Sequence, residues 1–336
     1  GRFTSPKTLV WEIASRAEMA AISGKHFSAA YMDCSKCYER VDHTIAAEAA
    51  LKTGCDPTIV ALSFRMYKTD RIIQVHKSNT DPIEAKGGIL AGCAYAVHYL
   101  KAMIKEQVKD EDNELSDYVD DMVIFKEGDT EEQTMEGLYN DLMAAKDKLT
   151  AVRQVMNDGK EQVYCQTKKA KHIWKDKFTD YKGRIGQAVI DLGITFRTHQ
   201  QKSLSKPKRV DDTVYVVRRI QSLGFSVKNK IKIIKTAAQS KATYGAAVDP
   251  FTIAQIKALR AKYTQALWPT KYTACRITGL LIADKGEIEP GINVIKTVLV
   301  NWIKQVEGGL HPSTEKYWDD LGVLTGGVRD PINHYL

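Results

Sequence analysis

The chain has 336 residues, of which 43% are hydrophobic, and its formal net charge at pH 7 is +8. This length and apolar content suffice for more than one buried core, and no apolar run is long enough to span a bilayer, so membrane anchoring has no support. The six cysteines do not form the pattern of a disulfide framework in a chain of this length, which argues against a small secreted disulfide-stabilised domain.

The first predicted elements are a helix and a buried strand that ends in a carboxylate. Thr8–Ile22 are expected to form the helix, and Phe27–Met32 are the apolar run of a strand that ends at Asp33. The segment Cys34–Val41 follows as a strand-to-helix transition. Asp33 is therefore a candidate metal ligand at a strand end. The alternative is that it caps the following helix through a backbone N–H group.

A glycine-bearing turn and an acidic hairpin come next. The turn spans Gly87–Tyr95 and leads into an apolar helix over Ala94–Ile104, so backbone can approach a ligand closely there. Tyr118-Val119-Asp120-Asp121 precedes the apolar run Met122–Phe125 and is predicted to form the tip of a β-hairpin. Adjacent carboxylates in an apolar setting repel each other, and a pair of divalent cations would relieve that repulsion. Magnesium is the expected metal because it prefers hard oxygen ligands.

These carboxylates suit phosphoryl transfer if they converge. Neighbouring strands lie about 4.8 Å apart, so Asp33 at one strand end and the Asp120-Asp121 tip on the next strand can share metal ions. Two metals about 3.5–4 Å apart clamp the attacking and leaving oxygens of such a reaction.

Taken in order, five blocks resemble the palm motifs of reverse transcriptases, most closely those of non-LTR retrotransposons. The blocks are Asp33–Tyr38, Gly88–Cys93, Tyr118–Asp121, Met156–Lys160 and Asp191–Phe196. The first is similar to the family's Asp-x-Ser-Lys-Ala-Phe/Tyr-Asp motif, with Glu39 in place of the final Asp. The last is similar to its Leu-Gly primer-grip hairpin.

The resemblance implies a right-hand polymerase, with an α+β palm built on an antiparallel sheet and a helical thumb after it. The expected domains are a palm with a remnant of the fingers over residues 1–200, the thumb over 201–270, and a helical extension of unknown role over 271–336. Because little chain precedes the first motif, the sequence is expected to be an N-terminally truncated piece of a longer polypeptide, with low polymerase activity of its own.

The implied reaction is RNA-templated DNA synthesis from a DNA primer and deoxynucleoside triphosphates, inside the cell and in the nucleus. By resemblance Asp33, Asp120 and Asp121 are the catalytic carboxylates and hold two Mg²⁺ ions, for which Mn²⁺ can substitute. Tyr38 resembles the steric gate against a ribose 2′-hydroxyl, and Lys160 resembles the residue that neutralises or protonates the departing pyrophosphate. The alternatives from composition alone are a core aromatic and a solvated lysine.

The remaining site residues are also expected from the resemblance. Ala91 and Gly92 correspond to the nucleotide-binding part of the second motif, where the family usually has Gln before the glycine and Pro before the Gln; this chain has Leu90 before Ala91. The missing amide removes hydrogen bonds expected near the template and the incoming nucleotide. Leu192 and Gly193 correspond to the primer grip.

The positive charge of the chain is concentrated after that hairpin. Residues 106–147 contain 15 Asp and Glu against 3 Lys and Arg, whereas residues 201–241 contain 11 Lys and Arg against 2 Asp. Apolar spacing predicts helices over 211–223, 228–244 and 251–268, and further helices beyond 271. In a thumb, this basic surplus would contact the nucleic-acid backbone through Lys206, Lys208, Arg209, Lys228, Lys230 and Lys232. The alternative is a solvated basic face.

Other functions remain open at this stage. An RNA-dependent RNA polymerase has the same carboxylate geometry, but a bulky Tyr38 argues against it. A decayed element that acts as a nucleic-acid-binding module is the alternative outside the enzymes. The Cys34-x-x-Cys37 spacing also occurs in zinc sites, but four ligands are needed and no second pair completes this one.

Overall fold

The computed structural model describes residues 6–108, 115–118, 121–197, 201–268 and 275–307. The chain divides into two compact units. We call residues 24–187 the sheet unit, and residues 1–23 together with 188–336 the helical unit. In the part of the chain that the structure describes, no helix has the length and apolar character needed to cross a membrane.

The described elements are short strands and longer helices. The strands are β1 (His26–Asp33), β2 (Gln74–Val75), β3 (Ser78–Asn79), β4 (Leu115–Tyr118), β5 (Asp121–Gly128), β6 (Gln162–Cys165), β7 (Arg184–Gly186), β8 (Ala188–Asp191) and β9 (Ile194–Arg197). The helices are α1 (Pro6–Ile22), α2 (His43–Lys52), α3 (Pro57–Tyr67), α4 (Ala96–Val108), α5 (Glu131–Ala151), α6 (Lys168–Lys177), α7 (Lys206–Ser222), α8 (Val227–Ile233), α9 (Ser240–Thr243), α10 (Ile253–Leu267), α11 (Arg276–Asp284) and α12 (Pro290–Glu307). A 3₁₀ turn covers Tyr38–Arg40, and a π-helical segment, Ile234–Gln239, joins α8 to α9.

The sheet unit is built on a five-stranded sheet in the order β4-β5-β1-β6-β7. Strand β1 lies at its centre and pairs antiparallel with β5 on one side and with β6 on the other. Its residues Phe27–Met32 are all buried, as expected for a strand covered on both faces. The predicted strand ending at Asp33 is therefore confirmed.

The sheet differs from the expected antiparallel sheet at one edge, because β6 and β7 pair in parallel. Helix α6 lies between them in sequence and supplies the crossover that a parallel pair needs. The other pairs of this sheet are antiparallel. The predicted α+β class is confirmed, with a mixed sheet in place of the expected antiparallel one.

One face of the sheet packs against helices. Ala30 and Met32 of β1, Met122 and Ile124 of β5 and Val163 of β6 belong to the same buried cluster as the apolar sides of α2 to α6. Side chains alternate between the two faces of a strand, so the intervening residues lie on the opposite face. There Phe27 stacks on Phe125, with ring centroids 5.9 Å apart.

The helical unit contains the β8–β9 hairpin, which forms its own two-stranded sheet. Predicted as part of a palm that ends at residue 200, this hairpin instead groups with the helices, as does α1. The physical reason lies in Thr195 of β9, whose Oγ1 accepts from the backbone N–H groups of Leu204 and Ser205 at 3.0 and 2.7 Å. Those bonds tie the hairpin to the start of α7.

The helices of this unit share one core. It includes Ile220 of α7, Ile234 of the π-helical segment, Leu259 of α10 and Leu280 of α11, all fully or almost fully buried. The predicted helices at 211–223, 228–244 and 251–268 are confirmed with small shifts of their ends. The segment after residue 271 is not a separate extension over its described part, because Leu280 and Val294 belong to that same core.

Candidate active site

Asp33 and Asp121 lie directly opposite each other on β1 and β5. Directly paired residues of an antiparallel sheet have Cβ atoms about 4.5–5.5 Å apart and side chains on the same face. Their neighbours Met32 and Met122 point into the core beneath the helices, so the two carboxylates lie on the other face of the sheet. The structure therefore brings these two predicted site residues together.

The predicted acidic hairpin is confirmed. Strands β4 and β5 pair antiparallel, and Tyr118 lies opposite Asp121 across a two-residue connection. Val119 and Asp120, which make that connection, lie outside the described residues. The third predicted carboxylate, Asp120, is thus adjacent in sequence to Asp121 but is not described.

Two side chains from the segment before β6 contact the Asp33 carboxylate. Asn157 Nδ2 donates to Asp33 Oδ2 at 3.3 Å, and Lys160 Nζ lies 3.1 Å from the same oxygen. The backbone joins them too, since the N–H of Asn157 donates to the carbonyl oxygen of Asp33 at 2.9 Å. The Lys160 side chain is 66% exposed.

Asp33 does not cap a helix. The next α-helix, α2, is capped by Asp42, whose side chain accepts from the backbone N–H groups of Thr44 and Ile45. Between the two aspartates the chain makes a tight turn with Lys36 in the left-handed region, at φ 54°, and then the 3₁₀ turn. The capping alternative for Asp33 is therefore wrong.

The glycine-bearing turn packs directly against that segment. The N–H of Ile89 donates to the carbonyl oxygen of Tyr38, and that of Gly88 donates to Val41, both at 2.8 Å. Gly88 has φ 81°, and a Cβ there would lie 2.8 Å from the carbonyl oxygen of Glu39. Close backbone approach, which we expected toward a ligand, is thus used at Gly88 to join the first and second motifs.

The predicted nucleotide-binding residues differ in their surroundings. Tyr38 is half-buried and packs against the core of the sheet unit. Ala91 and Gly92 are exposed, and Gly92 has φ 91° with open space around the position of a Cβ. The backbone of the second motif is therefore exposed at Gly92.

The Leu192-Gly193 turn lies in the helical unit. Both residues have positive φ, 47° and 76°, as a two-residue type I′ hairpin requires, and they connect β8 to β9. Tyr244 Oη donates to the carbonyl oxygen of Leu192 at 2.7 Å. The predicted hairpin is confirmed; its role as a primer grip stays a prediction.

The structure buries half of the predicted phosphate-binding cations. Lys206 and Arg209 lie against Asp249, which is completely buried, with ion-pair distances of 3.6 and 3.3 Å. Lys230 Nζ donates to the carbonyl oxygens of Gln221 and Ala266 at 3.2 and 3.3 Å. These three cations are buried and have internal partners, which argues against the predicted contact with a nucleic-acid backbone.

Asp249 and the cations around it form a buried ion-pair cluster inside the helical unit. Arg197 of β9 also approaches Asp249, at 3.4 Å. Burial lowers the pKa of the Arg209 guanidinium, and the carboxylate of Asp249 opposes that shift. A buried cation is tolerated where an anion and hydrogen-bond acceptors surround it, which explains why this part of the basic segment faces inward.

The other predicted cations are exposed. They are Lys208 on α7 and Lys228 and Lys232 on α8, and the last two are four residues apart on one helix face. Arg218 and Arg219 of α7 are exposed as well, and Arg219 lies 5.8 Å from the ring centroid of exposed Tyr215. This second group was not selected from the sequence, although the basic surplus of the segment included it.

The sequence assigned no contact to Asn157, and it suggested His43 only as an added ligand of a Cys34-x-x-Cys37 zinc site. Asn157 stood in the fourth motif, and only its contact with Asp33 shows what it does there. His43 is buried, and its Nε2 lies 2.8 Å from the carbonyl oxygen of Gly88, which ties α2 to the glycine turn. No periodicity or motif distinguished this histidine in the sequence.

No protein-family model matches the sequence, and no curated protein matches it. Among solved structures, the chain is similar to a telomerase from Candida albicans in complex with a TWJ fragment of telomeric RNA, at 10% identity and a TM-score of 0.44, over 89% of this chain and 51% of that one. It is also similar to a Candida tropicalis telomerase in complex with a TWJ fragment, at 9% identity and a TM-score of 0.42, over 93% and 51%. The chain thus spans about half the length of these structures. Similarity at this level establishes neither a family nor an activity.

Proposed function

We propose that the chain is the catalytic core of a retrotransposon-type reverse transcriptase, which extends a DNA primer on an RNA template. The observation that carries the proposal is the pairing of Asp33 with Asp121 on one sheet face, beside Asn157 and Lys160. These residues come from three of the motif segments, which are far apart in sequence. Convergent carboxylates beside an exposed cation suit the transfer of a nucleotidyl group.

The side chains present fit magnesium. Asp33 and Asp121 offer only carboxylate oxygens, the hard ligands that Mg²⁺ prefers, and one or two protein carboxylates are its usual complement. Asp33, Asp120 and Asp121 would hold two Mg²⁺ ions, or Mn²⁺ in their place. When bound, the ions would neutralise charge on the transferring phosphate and favour the ionised primer hydroxyl.

The protein side chains would orient the reacting groups and discriminate against ribonucleotides. Asn157 would fix the Asp33 carboxylate, to which it donates a hydrogen bond, and Lys160, 3.1 Å from the same carboxylate, would neutralise or protonate the departing pyrophosphate. Tyr38 would exclude the 2′-hydroxyl of a ribonucleotide by bulk. The exposed cations Lys208, Lys228 and Lys232 would contact phosphates and release counterions.

A primer-extension assay on an RNA template with magnesium tests the proposal. Asp33→Asn and Asp121→Asn each remove an anionic ligand while preserving size, and we expect either to lower the extension rate by about 10²-fold or more. Glu48→Gln, at an exposed position of α2, is the matched control, because it removes one carboxylate away from the paired aspartates. Extension that survives in both Asn variants would refute the catalytic assignment.

Metal binding gives an independent readout. Titration with Mn²⁺, followed by electron paramagnetic resonance, should show sites that weaken in Asp33→Asn and Asp121→Asn and persist in Glu48→Gln. Equal binding by all variants would mean that the paired carboxylates do not hold the metal.

A noncatalytic nucleic-acid-binding module is the second candidate, favoured by the exposed cations of α7 and α8 in the helical unit. It predicts salt-sensitive binding of template-primer with no extension, and no effect of Asp33→Asn. Extension by the unmodified chain would eliminate it.

A further inference from the structure

A buried ion pair lies behind the turn that carries Asn157 and Lys160. The backbone N–H groups of Lys160 and Glu161 both donate to the carbonyl oxygen of Asn157, at 2.9 and 3.2 Å, which closes the turn. Glu161, at the end of the turn, is 1% exposed, and its Oε2 accepts from Lys146 Nζ at 2.8 Å. The pair thus joins the turn to helix α5.

Lys146 contacts the turn at more than one point. Its Nζ also lies 3.9 Å from Oδ1 of Asp158, inside the turn, and 5.7 Å from the ring centroid of Tyr181. The helix behind it is firmly anchored, because Ala145 and Leu149 belong to the core of the sheet unit. A rigid helix therefore presents one ammonium group to both carboxylates of the turn.

The backbone at Glu161 is fixed as well. Its carbonyl oxygen accepts from the N–H of Arg184 at 2.9 Å, and a Cβ on Gly183 would lie 2.8 Å from the same oxygen. Burial raises the pKa of the Glu161 carboxyl, whereas the Lys146 ammonium opposes that shift by stabilising the anion. Without Lys146, a carboxylate would be buried without its cation, and such a group is strongly destabilising.

We propose that Lys146 is a positioning residue that, through Glu161 and Asp158, holds the turn in the conformation from which Asn157 and Lys160 reach Asp33. Lys146 acts through the turn, since its ammonium group contacts Glu161, Asp158 and the ring of Tyr181. The consequence for polymerisation rests on the proposed function; the effect on the turn does not.

Hydrogen exchange of the full chain tests the effect on the turn. In Lys146→Met, we expect the amides of Asn157, Lys160 and Glu161 to exchange at least tenfold faster, because local opening no longer breaks an ion pair. Lys146→Arg should restore slow exchange. Lys126→Met is the matched control, because Lys126 pairs with Asp141 of the same helix at 2.9 Å and does not contact the turn.

Primer extension tests the positioning role. Lys146→Met should lower kcat about tenfold with a smaller change in KM for the nucleotide, and Lys126→Met should leave kcat unchanged. The variant with both Lys146→Met and Lys160→Met should be no slower than Lys160→Met alone, because residues that act through one element are not additive. Glu161→Gln, which keeps the shape of the buried side chain, provides a second variant if Lys146→Met does not fold.

The outcomes separate this inference from the proposed function. Unchanged exchange in the turn of Lys146→Met would overturn the inference, and so would a loosened turn with unchanged kcat. If primer extension survives in both Asp33→Asn and Asp121→Asn, the proposed function fails. Faster exchange confined to the turn would even then support the role of Lys146 in holding Asn157 and Lys160.

Discussion

Gly88 shows how a single residue joins two motifs that are far apart in sequence. A side chain there would meet the backbone of Glu39, at 2.8 Å from its carbonyl oxygen, and the residue also has a φ of 81°. Both features favour glycine, because an L-residue would be strained at that φ even without the contact. The position thus combines a conformational requirement with a steric one.

Gly88→Ala should destabilise the protein by about 2–4 kcal/mol, the sum of backbone strain and displacement of the Glu39 peptide. Gly54→Ala is the control, because Gly54 has φ 85° with no atom within 4 Å of the Cβ position and therefore reports the strain alone. Urea denaturation measures both changes. Equal losses for the two variants would mean that the Gly88 region relaxes without cost.

Substitution of Tyr38 tests whether its ring selects deoxyribonucleotides over ribonucleotides. Tyr38→Val should raise the ratio of ribonucleotide to deoxyribonucleotide incorporation by about tenfold or more, because the ring would no longer occupy the space of the 2′-hydroxyl. Tyr38→Phe keeps the ring and should leave the ratio unchanged. Single-nucleotide extension with competing substrates measures the ratio, and an unchanged value in Tyr38→Val would return Tyr38 to a packing role.

At the scale of elements, helix α8 has one buried lysine between two exposed lysines. Lys230 is 6% exposed and bonded to internal carbonyl oxygens, whereas Lys228 and Lys232 are exposed. Because an α-helix turns by about 100° per residue, lysines two positions apart lie on opposite faces, one toward solvent and the other toward the core.

The double substitution Lys228→Gln and Lys232→Gln should weaken template-primer binding and lower the slope of log affinity against log salt by about 2, since two phosphate contacts are lost. Lys230→Gln should leave that slope unchanged and lower stability by about 1–3 kcal/mol, because its buried carbonyl partners lose their donor. Fluorescence anisotropy at several salt concentrations measures the slopes. A change of slope in Lys230→Gln would contradict its assignment as an internal cation.

For the whole molecule, each unit has its own buried cluster, so we expect a core substitution in one unit to destabilise that unit and not the other. Leu100 lies fully buried in the core of the sheet unit and Leu259 in that of the helical unit, and the clusters share no residue. Leu100→Ala and Leu259→Ala should each cost about 2–5 kcal/mol through the cavity they leave. Hydrogen exchange should then accelerate within the mutated unit alone. Equal acceleration in both units would show that the chain unfolds as one cooperative body.

Much of the local structure could be read along the chain. The apolar run before Asp33, the acidic hairpin, the Leu192-Gly193 turn and the amphipathic helices all follow from short-range patterns, and the structure contains each of them. Strand and helix periodicities depend on residues a few positions apart, which is why a linear reading suffices for them.

The arrangement around Asp33 depended on long-range packing. Neither the opposition of Asp33 to Asp121 nor the contacts of Asn157 and Lys160 follow from spacing, although the motif order anticipated the convergence of the carboxylates. The burial of the Lys206, Arg209 and Lys230 side chains could not be predicted from the sequence. A lysine or arginine has the same charge in either direction, and its direction depends on whether a partner such as the buried Asp249, up to 43 residues away in sequence, reaches it in the folded chain.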